Sequence, residues 1–135
     1  MTLINCDFDG VLIPNTLEEK LISYAKECAL SFADGSPLWD WYGNLVENTT
    51  PPINHSLLRY LQSRKEMGDT IRIWTNRAHT LRDATLRTLG PYVSIFDSFQ
   101  FYGGKKHLSQ VEGIVIDNSP QYLSCGERGI LYSID

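Results

Sequence analysis

The sequence predicts an α/β protein: a Rossmann-like parallel sheet of about five strands, with helices on both faces and a small helical insert after the first strand. Two observations carry this reading. Short apolar runs alternate with stretches of helical periodicity, and that alternation builds parallel βαβ units covered on both faces. Polar residues also stand just past the ends of the apolar runs, where open parallel sheets bind their ligands.

Leu3-Ile4-Asn5-Cys6 reads as a short strand running into Asp7-Phe8-Asp9-Gly10, with a loop through Val11-Leu12-Ile13-Pro14. Thr16-Leu17-Glu18-Glu19 has the form of a capping box, Thr16 as N-cap and Glu19 three residues on. Leu17, Leu21, Tyr24, Ala25, Cys28, Ala29 and Phe32 follow at helical spacing, with Asp34-Gly35 as the stop. Residues 36–52 hold three prolines and the aromatic group Trp39, Trp41 and Tyr42, and read as loop plus one short helix. The aromatic group suits the small core of an insert, with base stacking as the alternative. A second helix spans about 54–67, with Leu57, Leu58 and Leu61 on one face and Gly68 ending it.

Thr70-Ile71-Arg72-Ile73-Trp74 is a β-rich run leading into Thr75-Asn76-Arg77 and a third helix, which carries Leu81, Ala84, Thr85, Thr88 and Leu89. Phe99-Gln100-Phe101-Tyr102 is a strand followed by Gly103-Gly104-Lys105-Lys106. Gly113-Ile114-Val115-Ile116 is the clearest buried strand. It ends at Asp117-Asn118, after which Ser119 caps a short helix with Pro120 at its first position. Residues 129–134 form the last strand.

The chain has 135 residues, 42% hydrophobic and 21% charged, which is one domain, 1–135, with its own core. Two full-sized domains and a disordered chain are excluded. No run approaches the roughly 18 apolar residues of a membrane span. A net charge of −4 argues against a broad nucleic-acid-binding surface. The odd count of three cysteines, without a CxxC, suggests neither a disulfide framework nor a zinc site. The first residues lack a basic segment and a long apolar stretch, so a cytoplasmic protein is expected. The oligomeric state is left open.

Four polar groups at strand ends should converge on one crevice: Asp7 and Asp9, Thr75 and Asn76, Lys105 and Lys106, Asp117 and Asn118. Taken singly, Asp7-Phe8-Asp9-Gly10 is also a plain turn and Thr75-Asn76 a plain helix cap. Together and in this order they resemble the four motifs of the haloacid dehalogenase (HAD) superfamily, in a small or capless form. The resemblance covers about residues 1–14 and 53–135; residues 15–52 match none of its motifs.

The resemblance implies a Mg²⁺-dependent phosphomonoester hydrolase working through an aspartyl-phosphate. Asp7 would be the nucleophile and a metal ligand, and Asp9 the general acid and then base, with its main-chain carbonyl on the metal. An aspartate at this second position resembles the phosphatase branch. Gly10 lets the chain turn beside the ligand. Thr75 and Asn76 would donate to phosphoryl oxygens. Lys106, favoured over Lys105 by its spacing to Asp117, would offset charge between nucleophile and phosphate. Asp117 would complete the metal site. Asn118 departs from the pattern, which often has a second acid there. A surface side chain is the simpler reading of Arg77, a substrate clamp the alternative.

The resemblance implies a phosphorylated substrate, small molecule or macromolecule: a nucleotide, a polynucleotide end or another phosphoester. The short insert suggests an open site suited to bulky phosphoesters; an insert folded over Asp7 would favour small ones. Alternatives to hydrolysis are a non-catalytic phosphate- or metal-binding module and a phosphotransferase.

Overall fold

The first strand is the central one. In the computed structural model, which describes residues 2–134, β1 (Leu3–Cys6) lies between β2 (Thr70–Thr75) and β4 (Ile114–Asp117). β3 (Ser98–Phe101) and β5 (Arg128–Leu131) form the edges, so the order is β3-β2-β1-β4-β5. Every pairing is parallel. Met1 and Asp135, the ends of the expected domain, lie outside the described residues.

A strand paired on both edges and covered on both faces has to be apolar nearly throughout. β1 obeys this except at Asn5, and Asn5 is satisfied. Its amide donates to the carbonyls of Glu112 (2.8 Å) and Ile114 (3.1 Å), and its oxygen accepts from Arg72 Nε at 2.8 Å. Burying a polar side chain is tolerable under that condition.

The chain leaves β1 toward β2 and β3, then returns to place β4 on the opposite side of β1. Such a reversal opens a crevice at the carboxyl ends of the two strands. Cys6 is in register with Ile116, and the Asp7 N–H donates to the Ile116 carbonyl at 2.9 Å. The topology alone therefore brings Asp7 and Asp117 side by side.

Four α-helices pack on the sheet: α1 (Thr16–Cys28), α2 (Pro37–Glu47), α3 (His55–Glu66) and α4 (Arg82–Leu89). All four contribute to one apolar cluster with Ile4, Cys6, Ile71, Ile73 and Ile116. The other side is thinner: Trp74 and Val115 are covered by Cys125 and the half-buried Tyr102, Tyr122 and Leu123, largely from the short 3₁₀ segment Pro120–Cys125.

Several local expectations are corrected. The N-cap of α1 is Asn15, with Thr16 already helical and no side-chain cap bond, so no capping box forms. The helix stops at Cys28, before Phe32: Ala29 adopts a left-handed conformation (φ 54°), and its N–H returns to the Ala25 and Lys26 carbonyls, a common way to close a last turn. Residues 36–52 are mostly helix, because Ser36 accepts from the Leu38 N–H and Pro37 occupies the first turn. Thr75-Asn76 caps no helix; the next helical segment begins at His79, with Ala78 before it. Ser119 makes no side-chain cap bond to the 3₁₀ segment that follows.

The insert is not splayed outward. Leu17, Leu21, Leu38, Trp39 and Tyr42 belong to the main core. The α1–α2 connection crosses to the loop after β3, where a Cβ added at Gly104 (φ 84°) would run into the Phe32 carbonyl. Asp34 also pairs with His79 Nδ1 at 2.9 Å. The crevice is thus covered, contrary to the open site expected from the insert's length. The reason is composition: α2 carries enough apolar residues, among them Leu38, Trp39, Tyr42 and Val46, to dock on the sheet's own core.

Candidate functional site

Lys106 is the hub of the crevice. Its side chain is 1% exposed, and its ammonium lies 2.9 Å from Asp7 Oδ1 and 2.6 Å from Asp117 Oδ2. The same ammonium stands over the Trp74 ring, 4.1 Å from its centroid, a further favourable contact for a buried cation. Asn76 sets the approach of this segment, its Oδ1 accepting the Lys106 N–H at 3.0 Å. Adjacent Lys105 is exposed, as alternation in a tight turn requires. His107 is exposed as well.

Burial pushes the Asp7 carboxyl up to about 7, with Asp117 adding to the rise and Lys106 opposing it. Burial pulls the Lys106 ammonium down, but Asp7 and Asp117 outweigh it and hold Lys106 above its ordinary value. Asp117 Oδ1 accepts the Ser119 N–H at 2.9 Å, so this carboxylate also orders the turn after β4. With its amide nitrogen toward the carboxylates, Asn118 donates to Asp7 Oδ2 (3.0 Å) and Asp117 Oδ1 (3.2 Å). A second acid there would instead add repulsion to a pair that shares one lysine. Gly10 (φ 82°) faces this amide, and a Cβ there would collide with it.

Asp9 belongs to a second cluster. Its Oδ2 accepts from Arg77 Nε at 2.8 Å, and its Oδ1 from Arg77 Nη2 at 2.8 Å and the Tyr42 hydroxyl at 3.0 Å. Arg77 is 2% exposed and corrects the surface reading: a bidentate carboxylate, the Thr85 hydroxyl (3.0 Å) and the Phe8 ring (4.6 Å) satisfy it inside the protein. Burial works against its charge, but Asp9 outweighs burial and raises its pKa. Burial and the Asp9 charge both raise the Tyr42 hydroxyl. Thr75 is buried, its hydroxyl accepting the Arg77 N–H at 3.2 Å.

The sequence-predicted residues thus fall into two adjoining groups, Asp7–Lys106–Asp117–Asn118 and Asp9–Arg77, the latter joined by Tyr42 from α2. Thr75, Asn76 and Gly10 frame them, and Lys105 points away. The Asp9 carboxylate is an acceptor to three donors through both oxygens, which differs from the free acid expected of it. Among the described residues no three His, Cys, Asp or Glu side chains form a metal-binding group. The oxygen donors that fit Mg²⁺ are the Asp7 and Asp117 carboxylates, and that ion uses one or two protein carboxylates with water and phosphate. Asp9 can offer only its main-chain carbonyl.

Sequence reading missed Glu18 and the reach of Tyr42. Glu18 lines a cavity of about 30 Å³ together with Asp9, Asn76, Arg77, Phe32 and Trp39. Its signal was present: positions 18, 21, 22 and 25 follow helical spacing, which puts Glu18 at the border of the stripe containing Leu21 and Ala25. Burial pushes the Glu18 carboxyl up to about 9, with Asp9 and Asp7 adding to the rise. A larger groove of about 240 Å³ near Val46, Thr50 and Arg87 carries only the exposed Glu47–Arg87 pair, 3.5 Å apart, and no buried cluster of carboxylates, so volume does not locate the site.

Comparison of the chain with protein-family models, with curated proteins and with solved structures found no match.

Proposed function

We propose that the protein is a Mg²⁺-dependent phosphomonoester hydrolase in which Asp7 is the nucleophile. The observation that carries this reading is the convergence of Asp7 and Asp117 on the Lys106 ammonium, at the carboxyl ends of two adjacent central strands. Two carboxylates and one cation at a switch point match what phosphoryl transfer demands: an oxygen nucleophile, fixed positive charge and an oxygen-ligated ion.

Asp7 and Asp117 would hold Mg²⁺, with the Asp9 main-chain carbonyl as a third donor. The ion supplies charge neutralisation at the phosphoryl oxygens. Lys106 holds Asp7 in place and offsets the charge of an incoming phosphoryl group. Asn118 donates to the Asp7 oxygen that Lys106 does not hold, which orients the carboxylate for attack. Asn76 positions Lys106 through its main-chain N–H. Arg77 and Tyr42 anchor Asp9 and tie the insert to the core.

The insert bears on the substrate class. A cavity of about 30 Å³ beside Asp9 is the share of one water molecule. The insert's cover over this region favours a small phosphoester over a macromolecular one.

The reading is tested by trapping the intermediate. The protein is mixed with a phosphoester and Mg²⁺, quenched in acid and digested, and the peptide containing Asp7 is weighed. A phosphoryl adduct on Asp7 is expected; turnover with an adduct elsewhere, or none on rapid quenching, counts against the nucleophile.

A further inference from the structure

A lysine ammonium is a compact charge on a flexible stem, so a lysine that must act at one point has to be held there. Two carboxylates hold Lys106 on one side, Asp7 Oδ1 at 2.9 Å and Asp117 Oδ2 at 2.6 Å. Aromatic rings hold it on another. The Lys106 Nζ lies 4.1 Å from the centroid of the Trp74 ring and 4.9 Å from that of Tyr122. Both are within reach of a cation–π attraction, which is strongest for tryptophan and grows where water is excluded. Water is excluded here, since the Lys106 side chain is 1% exposed and Trp74 is fully buried.

The rings are themselves fixed. Trp74 belongs to β2, and its Nε1–H donates to the Tyr102 hydroxyl at 3.1 Å. The Tyr102 and Tyr122 rings stand nearly perpendicular to it, with centroids 6.0 and 6.3 Å away. The Tyr122 hydroxyl lies 3.5 Å from Asn76 Nδ2, and Asn76 Oδ1 accepts the main-chain N–H of Lys106. Strand β2, the turn after β3 and the 3₁₀ segment Pro120–Cys125 thus meet around one ammonium. Packing alone would need only apolar volume at position 74. It would not need a ring face turned toward the cation.

We propose that Trp74, together with Tyr122, is a positioning residue whose ring face keeps the Lys106 ammonium beside Asp7 during turnover. This rests on the phosphatase reading above. In that reading Asp7 gives up its carboxylate charge as its O–P bond forms, so its ion pair with Lys106 weakens at that step. Trp74 and Tyr122 take no part in the bond changes, and their attraction for the ammonium persists throughout. The rings hold Lys106 at the phosphoryl group when Asp7 holds it least. Their contribution is therefore to the rate of the chemical step and not to substrate binding.

The experiment replaces Trp74 site-specifically with mono-, di- and tetrafluorotryptophan, which keep the shape of the ring while drawing negative charge from its face. Each protein is assayed on para-nitrophenyl phosphate with Mg²⁺, and thermal unfolding checks that it folds. kcat is expected to fall stepwise with fluorine number, reaching about tenfold for the tetrafluoro ring, with KM within about twofold of wild type. Trp74→Phe, which keeps a ring face, should retain more of the rate than Trp74→Leu. A readout independent of turnover is the proton NMR position of the Lys106 ε-methylene, which a ring face beneath it moves upfield; Trp74→Leu should abolish that displacement. A kcat that does not follow fluorine number, a rise in KM with kcat kept, equal losses in Trp74→Phe and Trp74→Leu, or a Lys106 methylene without the upfield position in wild type overturns the role of Trp74 while leaving the phosphatase reading intact. A wild type that hydrolyses no phosphoester overturns that reading and this role together.

Discussion

Arg77 was the residue least legible in the sequence, since an arginine after Thr-Asn is ordinarily a surface charge. Its environment was assembled from afar: Asp9 lies 68 positions away and Tyr42 35 away. No local pattern announces such a partner. Removing one member of a buried ion pair leaves an uncompensated charge. Arg77→Ala is therefore expected to lower stability by about 3–5 kcal/mol, read as the urea midpoint. Tyr42→Phe deletes one hydrogen bond to a charged group and should cost about 1–2 kcal/mol. If Arg77→Ala unfolds no earlier than wild type, the pair has been misjudged. Asp7, Lys106 and Asp117 were legible for the opposite reason: each follows an apolar run directly or a paired glycine turn, so topology rather than distant packing places them.

At the scale of elements, the strands were plain and the insert was not. The three central strands stand out as apolar runs because they are buried on both faces, while the edge strands β3 and β5 are largely exposed. The helix starting at Pro37 was hidden by its own glycine, asparagine and proline and by the Pro51-Pro52 pair that follows. The end of α1 at Ala29 had no glycine to mark it. Gly104 shows how elements meet: its φ of 84° and the Phe32 carbonyl beside it leave no room for a side chain. Gly104→Ala should cost more than about 1 kcal/mol, since an added Cβ is strained at positive φ.

Asp97 joins β2 and β3 in a way that responds to pH. Its Oδ2 accepts the Ile71 N–H at 2.9 Å, and Lys65 lies 3.3 Å from its Oδ1. The Ile71 bond, then Lys65, hold its carboxyl below the ordinary value despite some desolvation. A folded pKa lower than the unfolded one stabilises above the unfolded value, about 3.9. That contribution is lost as pH falls through the folded value. Urea midpoints of wild type and Asp97→Asn should therefore differ at pH 6, and the gap should shrink as pH falls below the unfolded value. A gap that stays constant with pH would remove the ionised carboxylate from the explanation.

The whole molecule is a five-stranded sheet whose single reversal in strand order gathers the polar strand ends, roofed by an insert that shares its core. No helix among the described residues is long and apolar enough to cross a membrane. The parts of the candidate site carried by strand ends could be read from the sequence; of those carried by the insert, Glu18 showed only as a polar residue beside an apolar helical stripe and Tyr42 only as part of an aromatic group. Helical spacing shows which face is buried; it does not show what that face is buried against. In the proposed reaction the strand ends would supply the nucleophile and its charge partners, and the insert would cover them.

The central claim is that Asp7 attacks phosphorus, and it is most directly tested by phosphate release from para-nitrophenyl phosphate, with and without Mg²⁺, for wild type and Asp7→Asn. Mg²⁺-dependent release by wild type and background release by a folded Asp7→Asn are the expected results. Release by Asp7→Asn at the wild-type rate, or none by wild type with Mg²⁺, would contradict the account.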